Sequence, residues 1–143
     1  MVPFAAAFAC PSMPVPDRAA ATILVVEDEP NVCELAAETL LDAGYRVLTA
    51  ADAWQAEAIL ASESVDLLFT DIDLARNTNG LALAHRARWH RPDLPVVYTS
   101  GGRTCLASGE AVPESTFVAK PYLPSQLVEL TNGILRAEMQ HHG

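Results

Sequence analysis

Five short apolar runs, separated by stretches with helical periodicity, constrain the fold of this 143-residue chain more than any other feature. The first run, Ile23–Val26, has no polar position, which is typical of a strand buried on both faces of a parallel sheet. The other four runs are Tyr45–Thr49, Val65–Thr70, Val96–Thr99 and Phe117–Ala119. Strands that alternate with helices form right-handed βαβ units. We therefore expect an α/β fold, with a five-stranded parallel sheet and helices on both of its faces.

The first two predicted helices carry clear end signals. Pro30 suits a first helical turn, apolar residues follow it at helical spacing, and Gly44 is a typical stop. Asp52, with Gln55 three residues later, predicts a capped second helix. We expect Trp54 to pack on this second helix.

The second half of the chain is less regular. A third helix is predicted from Leu81 to about Trp89, and a last helix begins near Pro124. Between them, residues 103–115 contain Gly109 and Pro113 and show poor periodicity. A fourth helix in this stretch is therefore expected to be short or irregular.

Composition excludes several classes of protein. Eighteen acidic against nine basic residues give a formal charge of −9, so the chain lacks the basic surface that a general nucleic-acid binder needs. The three cysteines include no C-x-x-C pair, which argues against a disulfide framework and a zinc site. No apolar run is long enough to span a membrane. We expect a cytoplasmic protein with no nucleic-acid or membrane partner.

One domain is expected to occupy most of the chain. Residues 1–20 carry four of the ten prolines and two charges, which predicts a disordered or loosely docked N-terminal tail. Residues 21–139 are predicted to form the domain, and residues 140–143 a frayed C-terminus. Little of the chain lies outside this domain, so we expect no attached output domain.

Polar residues follow the predicted strands, and parallel strands bring their carboxyl ends to one edge of a sheet. Glu27 and Asp28 end the first strand, Asp71 the third, Ser100 the fourth and Lys120, the only lysine, the fifth. Clustered carboxylates repel each other unless a cation joins them, and oxygen ligands suit Mg²⁺ (or Mn²⁺). A carboxylate beside such an ion and a lysine is poised to attack phosphorus. We expect one of these carboxylates to form an aspartyl phosphate, with Lys120 and Ser100 binding phosphoryl oxygens.

Together with these strand-end residues, the pattern of residues 22–138 resembles the receiver domain of two-component response regulators. Four segments carry the resemblance in order and spacing: ILVVEDEP (23–30), DLLFTD (66–71), VVYTSG (96–101) and VAKP (118–121). The glycines after Ser100 resemble those of mostly standalone receivers with a Thr-Ser-Gly motif. The resemblance implies a flavodoxin-like, doubly wound sheet with strand order 2-1-3-4-5.

The resemblance also implies a role for each acidic residue. Asp71 would accept the phosphoryl group. Asp28 would bind Mg²⁺ directly, Glu27 would act on it largely through water, and Asp73 would contribute its backbone carbonyl. Asp71 would complete this metal site.

Further implied features concern switching and partners. Ser100 would be the switch hydroxyl, Phe117 the switch aromatic residue, and the Lys120–Pro121 bond would be cis. The phosphoryl donor would be a histidine kinase or a histidine phosphotransfer protein. The signal would leave through an unknown output protein or through a homodimer. Such a chain would not be an enzyme, beyond self-phosphorylation and slow autodephosphorylation at Asp71.

Departures from the family pattern keep two alternatives open. Residues 74–80 contain no proline and form a loop one residue longer than usual, and Asp73 adds a fourth carboxylate. This loop motivates a pseudo-receiver, a binding module that takes no phosphate. Asp71-Ile72-Asp73 also resembles the D-x-D motif of haloacid-dehalogenase-type phosphatases, although here the acidic pair comes before the acceptor.

Overall fold

The computed structural model describes residues 20–142, with side chains up to residue 138. All five strands join one parallel sheet, in which the second strand in the chain lies at one edge and is followed by the first, third, fourth and fifth. This order confirms the predicted flavodoxin-like topology. The strands are β1 (Thr22–Val26), β2 (Arg46–Ala50), β3 (Leu67–Asp71), β4 (Val96–Ser100) and β5 (Thr116–Ala119).

Four helices cover the two faces of the sheet. Ile23 and Val25 of β1 belong to one apolar cluster, which the first and last helices cover, whereas Leu24 and Val26 belong to the other. Because successive side chains of a strand point to opposite faces, both sides of β1 are fully buried, as its apolar sequence predicts. The helices are α1 (Pro30–Asp42), α2 (Ala53–Ser62), α3 (Gly80–His90) and α4 (Pro124–His142).

Polar side chains cap the second and third helices by accepting hydrogen bonds from their first backbone N–H groups. Asp52 accepts a hydrogen bond from the Gln55 amide at 2.9 Å, which confirms the predicted cap of α2. Asn79 caps α3 by accepting from the amides of Leu81 and Ala82 at 2.6 and 3.2 Å. Both caps follow loops at the carboxyl edge of the sheet, so they fix where those loops end.

The last helix begins at Pro124, as expected, but its cap is unusual. Leu123 has no polar side chain, and its N–H donates instead to Oε1 of Gln126 at 2.7 Å. The prediction for Trp54 was wrong. Its side chain is 69 % exposed on the first turn of α2, because the buried face of this helix is built from the small residues Ala53 and Ala56.

Within the described chain, residues 101–115 form neither a helix nor a strand, which confirms the predicted irregular segment. Three polar contacts hold it in place, two of them with side chains outside the segment and one within it. The Val112 amide donates to the Tyr98 hydroxyl at 3.1 Å, and a ring nitrogen of His85 lies 2.9 Å from the Glu110 carbonyl. Arg103 pairs with Glu110 at 2.7 Å. We call residues 101–115 the β4–β5 segment.

The two chain ends fall largely outside the described residues. The tail predicted for residues 1–20 lies there apart from Ala20. At the other end, α4 extends through His142, and Gly143 is not described, so the frayed end expected at 140–143 stays a prediction. Among residues 20–142, no helix is long and apolar enough to cross a membrane.

Candidate functional site

Three carboxylates meet at the carboxyl edge of the sheet. Carboxylate oxygens of Glu27, Asp28 and Asp71 lie within 4.8 Å of one another. The pairing of β1 with β3 places Val26 opposite Thr70, so the acids that follow the two strands become neighbours. Glu27 and Asp71 are buried, whereas Asp28 is exposed. The site therefore opens to solvent on the Asp28 side.

Lys120 joins two of these acids. Its Nζ lies 2.7 Å from Oε1 of Glu27 and 3.1 Å from Oδ2 of Asp71. The side chain is 21 % exposed, so the ammonium group is largely enclosed by the site. The Lys120–Pro121 peptide bond is cis, as the resemblance implies. The lone lysine of the chain thus lies against the predicted acceptor.

Burial and charge act together on the ionisable groups of the site. Burial raises the pKa of Glu27 above its ordinary value, and the neighbouring Asp71 carboxylate raises it further against the opposing hydrogen bond from Lys120. Burial disfavours the charged form of Lys120, but its hydrogen bonds to Glu27 and Asp71 outweigh this effect and raise its pKa. The ammonium group therefore stays protonated at neutral pH and can bind an anionic oxygen.

Asp73 approaches the acceptor with its backbone and not with its carboxylate. Its N–H lies 3.4 Å from Oδ1 of Asp71, at the start of a loop that we call the acceptor loop (residues 72–79). The side chain is exposed and is not a member of the carboxylate group. Asp73 thus adds a fourth carboxylate beyond the three that lie within 4.8 Å of one another. The metal role of the Asp73 carbonyl stays a prediction.

The predicted switch residues lie on neighbouring strands. Ser100 is fully buried at the end of β4, and its hydroxyl accepts a hydrogen bond from the Gly102 amide at 3.1 Å. Phe117 is half-buried on β5 opposite Tyr98 and packs against the apolar cluster of that face. Phe117 is thus a core residue in this structure, and the switch roles of both residues stay predictions.

Sequence reasoning missed two contributors to the geometry of the site. Gly80, the first residue of α3, lies so close to the acceptor strand that a Cβ atom would be 2.0 Å from the Asp71 carbonyl oxygen. Arg76 of the acceptor loop pairs with Asp52, the cap of α2, at 2.7 Å. The glycine after the loop was a visible signal for the first contact. The second pair is 24 residues apart, so no local pattern reveals it.

The residues present fit a hard divalent cation. Three carboxylates supply oxygen atoms only, the donor chemistry that Mg²⁺ prefers over the nitrogen and sulfur ligands typical of zinc. Lys120 compensates Glu27 and Asp71 but forms no ion pair with Asp28. The exposed Asp28 carboxylate therefore gives a cation both negative charge and access from solvent.

A buried carboxylate joined to a lysine, with two further acids at the carboxyl edge of a 2-1-3-4-5 sheet, defines the receiver class of signalling domain. The chain belongs to the response regulator receiver domain family, which matches residues 23–132. It is thus a receiver domain of the two-component response regulators, as its resemblance implies. This membership removes the haloacid-dehalogenase alternative, which belongs to a different family.

Two curated relatives illustrate the similarity. The nitrogen assimilation regulatory protein NtrX of Azorhizobium caulinodans is 35 % identical over 116 residues, which cover 79 % of this chain and 26 % of that protein. The phosphate regulon transcriptional regulatory protein PhoB of Pseudomonas aeruginosa is 32 % identical over 119 residues, covering 80 % of this chain and 52 % of that protein. The chain thus spans from about a quarter to about a half of the length of these relatives.

Solved structures share the fold over nearly their whole length. A response regulator receiver protein from Sinorhizobium medicae superposes with a TM-score of 0.79 at 30 % identity, covering 85 % of this chain and 98 % of that one. The receiver domain of the hybrid histidine kinase CckA superposes with a TM-score of 0.68 at 33 % identity, covering 80 % and 99 %. The match therefore extends beyond the site to the whole sheet and its helices.

Proposed function

We propose that this chain accepts a phosphoryl group on Asp71 from the phosphohistidine of a histidine kinase or a histidine phosphotransfer protein, and then signals through a protein partner. One observation carries the proposal. The Lys120 ammonium group bridges the buried carboxylates of Asp71 and Glu27, beside the exposed Asp28. A nucleophilic carboxylate next to a fixed cation is the arrangement that transfer of an anionic phosphoryl group requires.

The chain's own residues supply the nucleophile and two groups that bind the phosphoryl oxygens. An Oδ atom of Asp71 attacks phosphorus, the new P–O bond forms, and the P–N bond to the donor imidazole breaks with its electron pair on nitrogen. Lys120 exchanges a contact with Asp71 for one with a phosphoryl oxygen, which neutralises charge during the transfer. Ser100 lies at the next strand end and supplies a hydroxyl donor for another oxygen.

A divalent ion completes this site in our proposal. Glu27, Asp28 and Asp71 would hold Mg²⁺, or Mn²⁺ in its place, together with the Asp73 backbone carbonyl. The bound ion supplies positive charge for the phosphoryl oxygens. Without the ion, the Lys120 ammonium group pairs with the two buried acids. Its single positive charge cannot neutralise three carboxylates and a phosphoryl group.

Signalling follows from the change at Ser100. Its hydroxyl accepts from the Gly102 amide, and in our proposal it turns toward Asp71 to donate to a phosphoryl oxygen. We propose that this turn alters the start of the β4–β5 segment and the packing of Phe117, which lies on the same face of the sheet. We propose that a partner protein, or a second copy of the chain, reads this surface.

We propose that the chain acts as a switch and does not turn over a substrate as an enzyme does. After transfer, the acyl phosphate is lost only by slow hydrolysis, which returns Asp71 to its starting form. We propose a cytoplasmic location, where the kinase domains that supply phosphohistidine act, and no direct binding to nucleic acid, because the chain is strongly acidic.

Intact mass after incubation with Mg²⁺ and acetyl phosphate tests the proposal. We expect the gain of one phosphoryl group, lost in Asp71→Asn and kept in the matched control Asp66→Asn, whose residue precedes the same strand at the opposite edge. No gain in the wild type would favour the pseudo-receiver. A gain that survives Asp71→Asn would assign the phosphoryl group to another residue.

A further inference from the structure

The acceptor loop departs from the family pattern in sequence, yet it is folded tightly. Residues 75–78 form a tight turn with both central residues in the left-handed region, Arg76 at φ 59° and Asn77 at φ 56°, closed by a hydrogen bond from the Thr78 amide to the Ala75 carbonyl at 3.2 Å. The left-handed region suits asparagine but disfavours arginine. An arginine in this conformation is kept only where surrounding contacts hold it.

Those contacts come from the start of α2. Arg76 donates to Oδ2 of Asp52 from Nε at 2.8 Å and lies 2.7 Å from it through Nη2. The Asp52 side chain is 2 % exposed, so the carboxylate of this ion pair is almost completely shielded from solvent. The Ala53 amide adds a second link by donating to the Thr78 hydroxyl at 3.2 Å. We call these contacts the loop clamp.

The clamped loop reaches the acceptor directly. At its near end, the Asp73 amide lies 3.4 Å from the Asp71 carboxylate, and Leu74 is buried in the core beside it. At its far end, Gly80 donates to the Ile72 carbonyl at 2.8 Å. Movement of the turn is therefore passed to the backbone of Asp73, since few residues separate the clamp from the site.

We propose that Asp52 and Arg76 are positioning residues of the phosphorylation site. Through the loop clamp they hold the Asp73 backbone against the acceptor, so that its amide and carbonyl are in place before an ion or a phosphoryl group arrives. The inference rests on the proposed function for the identity of the site, but the clamp itself is defined by contacts remote from the chemistry. It explains how a longer loop without proline can serve a receiver site.

Two measurements without a phosphoryl donor test the clamp. Hydrogen exchange of the amides in residues 72–80 reports on loop order, and calorimetric titration with Mg²⁺ alone reports on the site. Arg76→Ala removes the ion pair, and Asp52→Ser removes it while keeping a residue that can cap α2. The control is Arg46→Ala, which removes an exposed ion pair with Glu63 at the opposite edge of the sheet.

We expect both clamp variants to exchange faster in residues 72–80 and to bind Mg²⁺ about tenfold more weakly, the lower end of the range for residues that orient metal ligands. Arg46→Ala should match the wild type in both. A merely structural role would lower the unfolding midpoint and leave the Mg²⁺ affinity unchanged. The proposal would be overturned if the amides of residues 72–80 in Arg76→Ala exchanged at the wild-type rate, or if this variant bound Mg²⁺ with the wild-type affinity.

The same proteins separate this inference from the proposed function. If the wild type gains no phosphoryl group but Arg76→Ala still loosens the loop and weakens Mg²⁺ binding, the clamp is supported and phosphorylation at Asp71 is refuted. If the wild type is labelled and the clamp variants bind Mg²⁺ normally, the proposed function stands and the clamp is refuted.

Discussion

Gly80 lies too close to the acceptor strand to be replaced by a residue with a side chain. A Cβ atom there would lie 2.0 Å from the Asp71 carbonyl oxygen and 2.9 Å from the Thr70 hydroxyl, and both neighbours belong to a central strand that cannot move aside. We expect Gly80→Ala to destabilise the fold by about 1–3 kcal/mol, as overpacking does, and to slow labelling of Asp71. Urea unfolding and intact mass with acetyl phosphate measure the two effects.

The same substitution elsewhere provides the control for Gly80. Gly133 lies within α4, and a Cβ atom there would meet no atom of the described chain within 4 Å. Gly133→Ala should stabilise the protein by about 1 kcal/mol, because alanine favours the helix more than glycine does. Equal effects of the two substitutions would contradict the close approach at Gly80.

Asp52 gives the fold a defined pH dependence. Its hydrogen bond from the Gln55 amide, and after it the bond from Arg76, hold the pKa of Asp52 below its usual value despite its burial. Its contribution to stability is therefore complete above the unfolded pKa of about 3.9 and is lost as the pH falls through the lower folded pKa. Asp52→Asn keeps a hydrogen-bond acceptor but cannot ionise.

We predict that the difference in unfolding free energy between wild type and Asp52→Asn is largest near about pH 6 and shrinks toward about pH 3. Urea unfolding of both proteins across this range measures it. A difference that does not change with pH would show that the charge of Asp52 contributes nothing, and that only its hydrogen bonds matter.

At the scale of elements, local signals predicted most of the fold. Pro30 and Gly44 at the two ends of α1, and the Asp52 cap of α2, are local signals that the sequence displays directly. Strand ends shifted by one or two residues, as for β3, because pairing with neighbouring strands decides where a strand begins. The irregular β4–β5 segment was predicted from its glycine and proline, but its contacts with Tyr98 and His85 were not, since distant elements supply them.

One buried hydroxyl holds the β4–β5 segment in place. Tyr98 is fully buried, and its oxygen accepts from the Val112 amide. Tyr98→Phe leaves that amide without its partner, which we expect to cost about 1–3 kcal/mol and to speed hydrogen exchange in residues 101–115. Urea unfolding and exchange followed by mass spectrometry measure the two effects.

Tyr122→Phe is the matched control for this prediction. Burial raises the pKa of Tyr122 to about 12, so its phenol is neutral in the assay, and its hydroxyl has no hydrogen-bond partner within the described chain. Its ring packs edge-on against Phe69, a contact that the substitution keeps. The control should change stability by less than about 0.5 kcal/mol. If both variants behave alike, the bond to Val112 contributes little.

At the scale of the whole molecule, topology made the site predictable. Parallel strands bring their carboxyl ends together, so the order of the strands was enough to gather Glu27, Asp71 and Lys120 from positions up to 93 residues apart. Side-chain direction was harder to predict. Asp73 lies outside the group of three carboxylates and Arg76 pairs with Asp52, because both depend on a loop conformation that residue types alone do not specify.

Clustering the acids at one edge carries a cost for the whole fold. Like charges repel, and Lys120 is paired with Glu27 and Asp71 but not with Asp28. Asp28→Asn should therefore raise the stability of the metal-free protein by up to about 1 kcal/mol. Thermal unfolding in EDTA measures this gain, and a loss of stability would mean that Asp28 makes favourable contacts in the metal-free fold.

A bound cation should relieve this repulsion in the wild type. An ion that binds only the folded state at 100 times its dissociation constant adds about 2.7 kcal/mol, so Mg²⁺ should raise the unfolding temperature and EDTA should reverse the rise. Asp28→Asn should respond far less, because it lacks the one carboxylate of the trio that is open to solvent. NaCl at matched ionic strength separates binding from screening. If NaCl reproduces the rise, or the variant shows it in full, the three carboxylates are not a metal site, and the fold bears their repulsion without a resident ion to offset it.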